Sequence, residues 1–230
     1  MPRLLLFDID GTLIDSNGAG GAAILDAAEE HFGIHRDELP PLQLAGATDL
    51  AIAMDLFNLL KREHTRDDAF AFLDRYLANL QRRLHANDFS GFTLPGVNAL
   101  LDALRVESEA HLGLLTGNVK RGAEIKLTRH GIFDRFIDGG FGSDHHDRNQ
   151  LGPVALERMQ QATGMRYDIS DVIVIGDTPK DIRCAEAIGA KCLAVATGQY
   201  SAAELRALNP WRTVESFADV PATVELLLRT

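Results

Sequence analysis

The stretch LLLFDIDGTL, residues 4–13, decides how the rest of the chain is read. Leu4 to Phe7 form an uninterrupted apolar run, as a strand buried on both faces requires. Asp8 and Asp10 follow, one residue apart, with Gly11 and Thr12 directly after them. In an extended chain residues i and i+2 share a face, so the two carboxylates point the same way. Unpaired, they would repel each other and lose hydration. A cation, or a shared chemical task, is therefore expected between them.

The next clear strand, HLGLLT (His111 to Thr116), comes about a hundred residues later. Between the two lie GAAILDAAEEHFG, DLAIAMDLFNLLKREH and RDDAFAFLDRYLANLQRRLH, all with helical apolar spacing and none with a convincing strand. That spacing predicts an all-helical insert over residues 16–89, bounded by the loose SNGAGG and NDFSGFTLPG segments. Residues 1–15 then carry the first strand of a core domain, and residues 90–230 the remainder. In this second part helices and strands alternate: VNALLDALRVE, HLGLLT, VKRGAEIKLTRHG, a short strand at FDRFIDG, GPVALERMQQATG, DVIVIGD, PKDIRCAEAIG and AKCLAVATG. YSAAELRAL, WRTVES and PATVELLLR close the chain as helix, edge strand and helix. The expected fold is α/β, a Rossmann-like parallel sheet with helices on both faces plus the inserted helical domain.

In open parallel sheets the ligand lies at the carboxyl ends of the strands. Asp8 and Asp10 stand at the first such end, and Thr116, Gly117 and Asn118 at the second. A later strand delivers Asp177 and Asp181, with Thr178, Pro179 and Lys180 between them. A strand-end Asp taken alone is commonly a helix cap or an Asx turn. Acids converging at successive strand ends, without histidine–cysteine spacing, suit a hard oxygen-ligated cation, with Mg2+ the default. Backbone N–H groups after Thr116 would form an anion cradle. Together these describe a phosphate monoester held for attack, with Asp8 as nucleophile and Asp10 as acid and base.

FDIDGTL, LLTGN and IGDTPKD resemble, in order and spacing, the signature motifs of the haloacid dehalogenase-like hydrolases, especially their phosphatase branch. The resemblance spans essentially the whole chain, with the helical insert similar to the family's first-type cap and the layout close to that of phosphoglycolate phosphatases and β-phosphoglucomutases. It implies that Asp8 is the nucleophile and that Asp10 is the acid/base, its main-chain carbonyl also coordinating Mg2+. It further implies that Thr116 binds the phosphoryl group, with contacts from Gly117 and Asn118, and that Asp177 with Asp181 holds the metal. One departure matters. The family usually has a Lys before the helix preceding the last acidic motif, and this chain reads DHHDRNQLGPVALERM there. Arg148 is the basic residue nearest that place, and its planar fork could bridge Asp8 and the phosphoryl oxygens. Lys126, the competing cation, falls inside the helix after Thr116, a full element too early.

Other features carry blander readings. His145 and His146 are adjacent on a polar loop, which is poor chelating geometry. SNGAGG reads as a hinge, and Lys180 either as a salt-bridge partner of the two late acids or equally as a helix-start lysine facing solvent. Cys184 and Cys192 read as buried reduced thiols rather than a bridge. Within the AGATD turn, Thr48 and Asp49 are candidate contacts to the leaving group, although Asp49 equally reads as an N-cap.

The 230 residues, 46% hydrophobic and 24% charged, are long enough for a sizeable core. A net charge of −10 speaks against a nucleic-acid or anionic-membrane partner, and no run approaches the ~18 apolar residues of a membrane span. The expected partner is a small phosphorylated metabolite and the expected location cytoplasmic, with the oligomeric state open. A sugar-phosphate mutase could use the same two acids and is the alternative function. A dehalogenase or phosphonate hydrolase would lack Asp10, and a degenerate binding scaffold would not keep all four acids.

Overall fold

The structure is a computed structural model describing residues 2–39, 41–107 and 109–229. In chain order the strands and helices are β1 (Arg3–Phe7), β2 (Ile14–Asp15), α1 (Ala19–Phe32), α2 (Asp49–Leu59), α3 (Arg66–Leu84), β3 (Phe92–Thr93), α4 (Val97–Arg105) and β4 (Ala110–Thr116). There follow α5 (Lys120–Arg129), β5 (Gly139–Phe141), α6 (Leu151–Thr163), β6 (Val172–Gly176), α7 (Pro179–Ile188), β7 (Lys191–Val195), α8 (Ala202–Arg206), β8 (Arg212–Val214) and α9 (Val220–Arg229).

Six strands form one parallel sheet in the order β5-β4-β1-β6-β7-β8, with β1 inside, Phe7 opposite Leu114 on one side and Ile175 on the other. Side chains alternate between two cores. Leu5, Phe7, Leu114, Ile173 and Ile175 face α4, α5 and α9, whereas Leu4, Leu6, Val172 and Val174 pack with residues of α6 and α7. Burial on both faces explains why these strands read as continuous apolar runs. Because β4 and β6 flank β1, the chain reverses its direction of travel across the sheet beside the carboxyl end of β1, which is where a ligand crevice forms.

Helices α1 to α3 make a third, separate core in which Ala27, Leu56, Phe57, Phe72, Leu73 and Leu80 are buried. This is the inserted cap. α3 opens on a capping box, the Asp68 carboxylate accepting from the Thr65 N–H and the Asp68 N–H donating to the Thr65 hydroxyl. The two connections to the cap run side by side, because β2 pairs antiparallel with β3, Ile14 opposite Thr93 and Asp15 opposite Phe92. These two-residue strands lie where no strand was expected; a pair of residues is too short to show a period.

A second difference concerns FDRFIDG. Phe133–Arg135 form a 3-10 turn, and the strand comes later as GGF, Gly139–Phe141. Glycine hides a strand from propensity, yet here it is sterically required: a Cβ on Gly139 would collide with the Leu114 carbonyl and one on Gly140 with that of Leu151. Cys184 and Cys192 are free and buried.

Candidate active site

Asp8 ends β1 with its N–H donated to the Ile175 carbonyl at 2.8 Å, which fixes the carboxylate at the sheet's carboxyl edge. The chain then turns at Gly11, whose φ of +78° is a left-handed conformation that suits glycine. Asp177 follows β6, and Asp181 lies in the first turn of α7 behind Pro179. Carboxylate oxygens of Asp8, Asp177 and Asp181 lie within 4.8 Å of one another, and all three residues are buried.

Arg148 is the cation at this cluster. It sits in a 3-10 turn, Arg148–Gln150, leading into α6, and is 6% exposed. Its Nη2 lies 3.1 Å from Asp8 Oδ2 and also bonds Asp181 Oδ1, while Nη1 donates to the Gly46 carbonyl at 3.2 Å. The other Asp181 oxygen accepts from the Thr178 N–H and hydroxyl at 3.0 and 2.7 Å. Burial pushes Asp8 up to about 6, against the pull of Arg148 and with the repulsion of Asp181. Asp177 is raised well above the usual carboxylate range by burial, Asp181 and Asp8.

This donor set fits a hard divalent cation: it is all oxygen, crowded and short of positive charge. Gly11 and Gly198 make room for the Asp177 carboxylate, because a Cβ on either would collide with its Oδ2. Thr12 Oγ1 donates to Asp177 Oδ1 at 3.1 Å and orients it.

Asp10 occupies a different setting. Its side chain is 42% exposed toward the cavity, and Lys126 Nζ donates to both its oxygens at 2.9 and 2.7 Å. Asn118 Nδ2 adds a bond at 2.8 Å to Asp10 Oδ2 and another at 2.9 Å to Thr116 Oγ1. Burial alone would raise Asp10, but the Lys126 ammonium and the Asn118 amide hold it below the usual value. Lys126 thus lies inside the site despite its place in α5. The sequence carried a signal for this, since Lys126 interrupts the buried stripe of Gly122, Ala123 and Leu127.

The cap closes over these groups through the AGATD turn. Gly117 is where it touches: its carbonyl accepts the Asp49 N–H at 2.7 Å, and a Cβ there would strike the Ala47 carbonyl. Thr48, not Asp49, caps α2, accepting from the Ala51 N–H and donating to the His146 carbonyl at 2.7 Å. Its hydroxyl is therefore committed away from the cavity. Asp49 lines the cavity from the first turn of α2, and its Oδ2 accepts from the Val119 N–H at 2.9 Å. Between core and cap is a cavity of about 340 Å³, bordered by Asp8, Asp10, Asp177, Asn118, Lys126 and Arg148 below and by Asp49, Ile24, Ile52 and Tyr76 above. Lys180 lies outside it, over Gly46, and His145 bonds the Asp147 N–H of its own loop.

The model of the haloacid dehalogenase-like hydrolases matches residues 5–186. A phosphoglycolate phosphatase of Rhodospirillum rubrum is 27% identical over 232 residues, covering 96% of this chain and 90% of the relative. Among solved structures, a hydrolase from Pseudomonas syringae superposes with a TM-score of 0.73 at 20% identity, covering 98% of this chain and 99% of its own. CbbY from Rhodobacter sphaeroides, solved in complex with phosphate, superposes at 0.72 with 16% identity and 96% coverage of both chains. No helix among the described residues is long and apolar enough to cross a membrane. With its sheet, inserted helical cap and aspartate cluster in place, the chain belongs to the haloacid dehalogenase-like hydrolase superfamily, in the capped phosphatase branch, as a phosphoric-ester hydrolase.

Proposed function

We propose that the protein is a Mg2+-dependent phosphatase of a small soluble phosphate monoester, working through an aspartyl-phosphate on Asp8. The observation that carries this reading is the placement of a buried Asp8 carboxylate between Arg148 and the Asp177–Asp181 pair, facing a cavity roofed by the cap. An Asp8 oxygen attacks phosphorus, the bond from phosphorus to the ester oxygen breaks, and the departing oxygen takes a proton from Asp10. Water then attacks the aspartyl-phosphate, gives a proton to Asp10, and releases inorganic phosphate and the Asp8 carboxylate. Asp8, the Asp10 carbonyl and Asp177 would hold Mg2+, supported by Asp181; the ion's role is to neutralise charge on the transferring group.

In the same reading Arg148, already paired with Asp8 and Asp181, neutralises the phosphoryl oxygens. Gly117 and Asn118 line the phosphoryl pocket with Thr116 buried beside them as the phosphoryl-binding hydroxyl, and the cap, taken as residues 16–89, excludes bulk water. The substrate is a phosphorylated metabolite, consistent with a cytoplasmic location. The test is a turnover screen of phosphate monoesters with and without Mg2+, with trapping of the covalent intermediate. Mg2+-dependent phosphate release with label on Asp8 is expected. Activity that survives exhaustive chelation, or label on another residue, would overturn it.

A further inference from the structure

The cavity has a phosphoryl half around Asp8 and a leaving-group half beneath the cap, and the second half has no cation to spare. Among the cavity-lining residues the positive side chains are Arg148 and Lys126. Arg148 is committed to Asp8 and Asp181. Lys126, only 4% exposed, has both Asp10 oxygens on its ammonium. Among the described residues the cap contributes no Lys, Arg or His to the lining, and its one charged residue there is Asp49. The remaining cap lining combines the side chains of Ile24, Leu44, Ile52, Ser16 and Tyr76 with backbone at Gly20 and Gly21 and in the AGATD turn.

We propose that this half of the site selects a compact, uncharged alcohol, and that Asp49 rejects esters whose alcohol carries a carboxylate or a second phosphate. The inference rests on the phosphatase reading and deepens it. An anionic leaving group would be brought against the Asp49 carboxylate in a confined space, where like charges repel. Moving Lys126 onto such an anion would leave Asp10 without its ammonium partner and would still leave Asp49 facing the new charge. A hydroxyl-bearing alcohol meets none of this, because Asp49 and the Tyr76 hydroxyl can both bond it. The same charge inventory disfavours a sugar-phosphate mutase, which must also hold a second phosphate on its bisphosphate intermediate.

Three esters on one two-carbon frame test this: 2-hydroxyethyl phosphate, 2-phosphoglycolate and ethane-1,2-diyl bisphosphate, each measured as kcat/KM with Mg2+. Wild-type protein should favour the hydroxyethyl ester over either anionic one by at least about tenfold, well within what one unpaired polar contact can discriminate. Asp49→Asn should narrow that gap to about threefold or less. Equal or better turnover of 2-phosphoglycolate by the wild type would overturn the inference while leaving the phosphatase reading intact. A gap unchanged in Asp49→Asn would overturn the role given to Asp49. Failure of every monoester to turn over would bring down the phosphatase reading and this inference together.

Discussion

The two cations of the site sit in contrasting corners. Arg148 is buried against Asp8, whose side chain is 6% exposed, and a second carboxylate shares its guanidinium. Lys126 is equally buried, but it points at Asp10, whose side chain is 42% exposed and already bonded by Asn118. The first corner gathers three buried carboxylates around one guanidinium, whose rigid fork serves Asp8, Asp181 and the Gly46 carbonyl together. The second corner steadies one half-exposed carboxylate, where an ammonium is enough. Carboxylates outnumber the cation in both corners, with Asp8, Asp177 and Asp181 around Arg148 and with Asp10 and Asp49 near Lys126.

The deepest cut through this comparison is at the acids themselves. Asp8→Asn should remove turnover by on the order of 10⁴-fold or more, because the carboxamide is a poor nucleophile. Asp10→Asn should cost roughly 10²–10⁴-fold, the range of a lost proton transfer. Rapid-quench measurement of the phosphoenzyme separates the two, since only Asp10→Asn can still form it. Phosphoenzyme on Asp8→Asn would reverse the division of labour.

Next come the cations. Arg148→Ala should lower kcat/KM at least about tenfold, from loss of a charge-assisted bond of roughly 1.5–3 kcal/mol, and Arg148→Lys should recover part of it. It should also cost about 3–5 kcal/mol in denaturant unfolding, because Asp8 and Asp181 are left buried and uncompensated. Lys126→Met should lower kcat/KM by about tenfold or less, since Asp10 keeps Asn118 and the cavity opening. A larger loss at Lys126 than at Arg148 would mean that the leaving-group corner dominates.

The smallest expected effect concerns stability against pH at Asp49. Burial raises its carboxyl from 3.8 to about 6 against the pull of Lys126, so the folded chain binds this proton more tightly than the unfolded chain. Below 3.8 both states are protonated and there is no penalty; above 6 the full cost of the ionised group is present. Wild-type stability from this group therefore falls as pH rises through that window. Asp49→Asn should gain on wild type by up to about 3 kcal/mol between pH 4 and 7, read from urea midpoints at each pH. A constant difference across that range would show that the Asp49 environment is not the closed one described here.

Much of this was legible beforehand. Asp8, Asp10, Thr116, Asp177 and Asp181 lie at or just beyond strand ends, and buried parallel strands advertise themselves as apolar runs. Arg148 could be placed by its loop and paired with Asp8, although its bonds to Asp181 and the Gly46 carbonyl could not be read. Three features escaped. Strand β5 was misplaced because its glycines answer to carbonyls on neighbouring elements, and β2 and β3 were missed because two residues carry no pattern. Lys126 reads as a full element too early, because element order does not show how far a long side chain extends toward Asp10.

The linear order of residues determined the sheet, the inserted helical cap and the set of acids, because each rests on local periodicity or on what directly follows a strand. Tertiary structure alone decided which charge meets which. Lys126 and Asp10 are 116 residues apart, and Arg148 and Asp181 33 apart; their pairing depends on how α5 and the turn before α6 converge on the carboxyl edge of β1. Long side chains extend across gaps that no spacing rule records, and a carboxylate takes as its partner whichever cation packing leaves within reach.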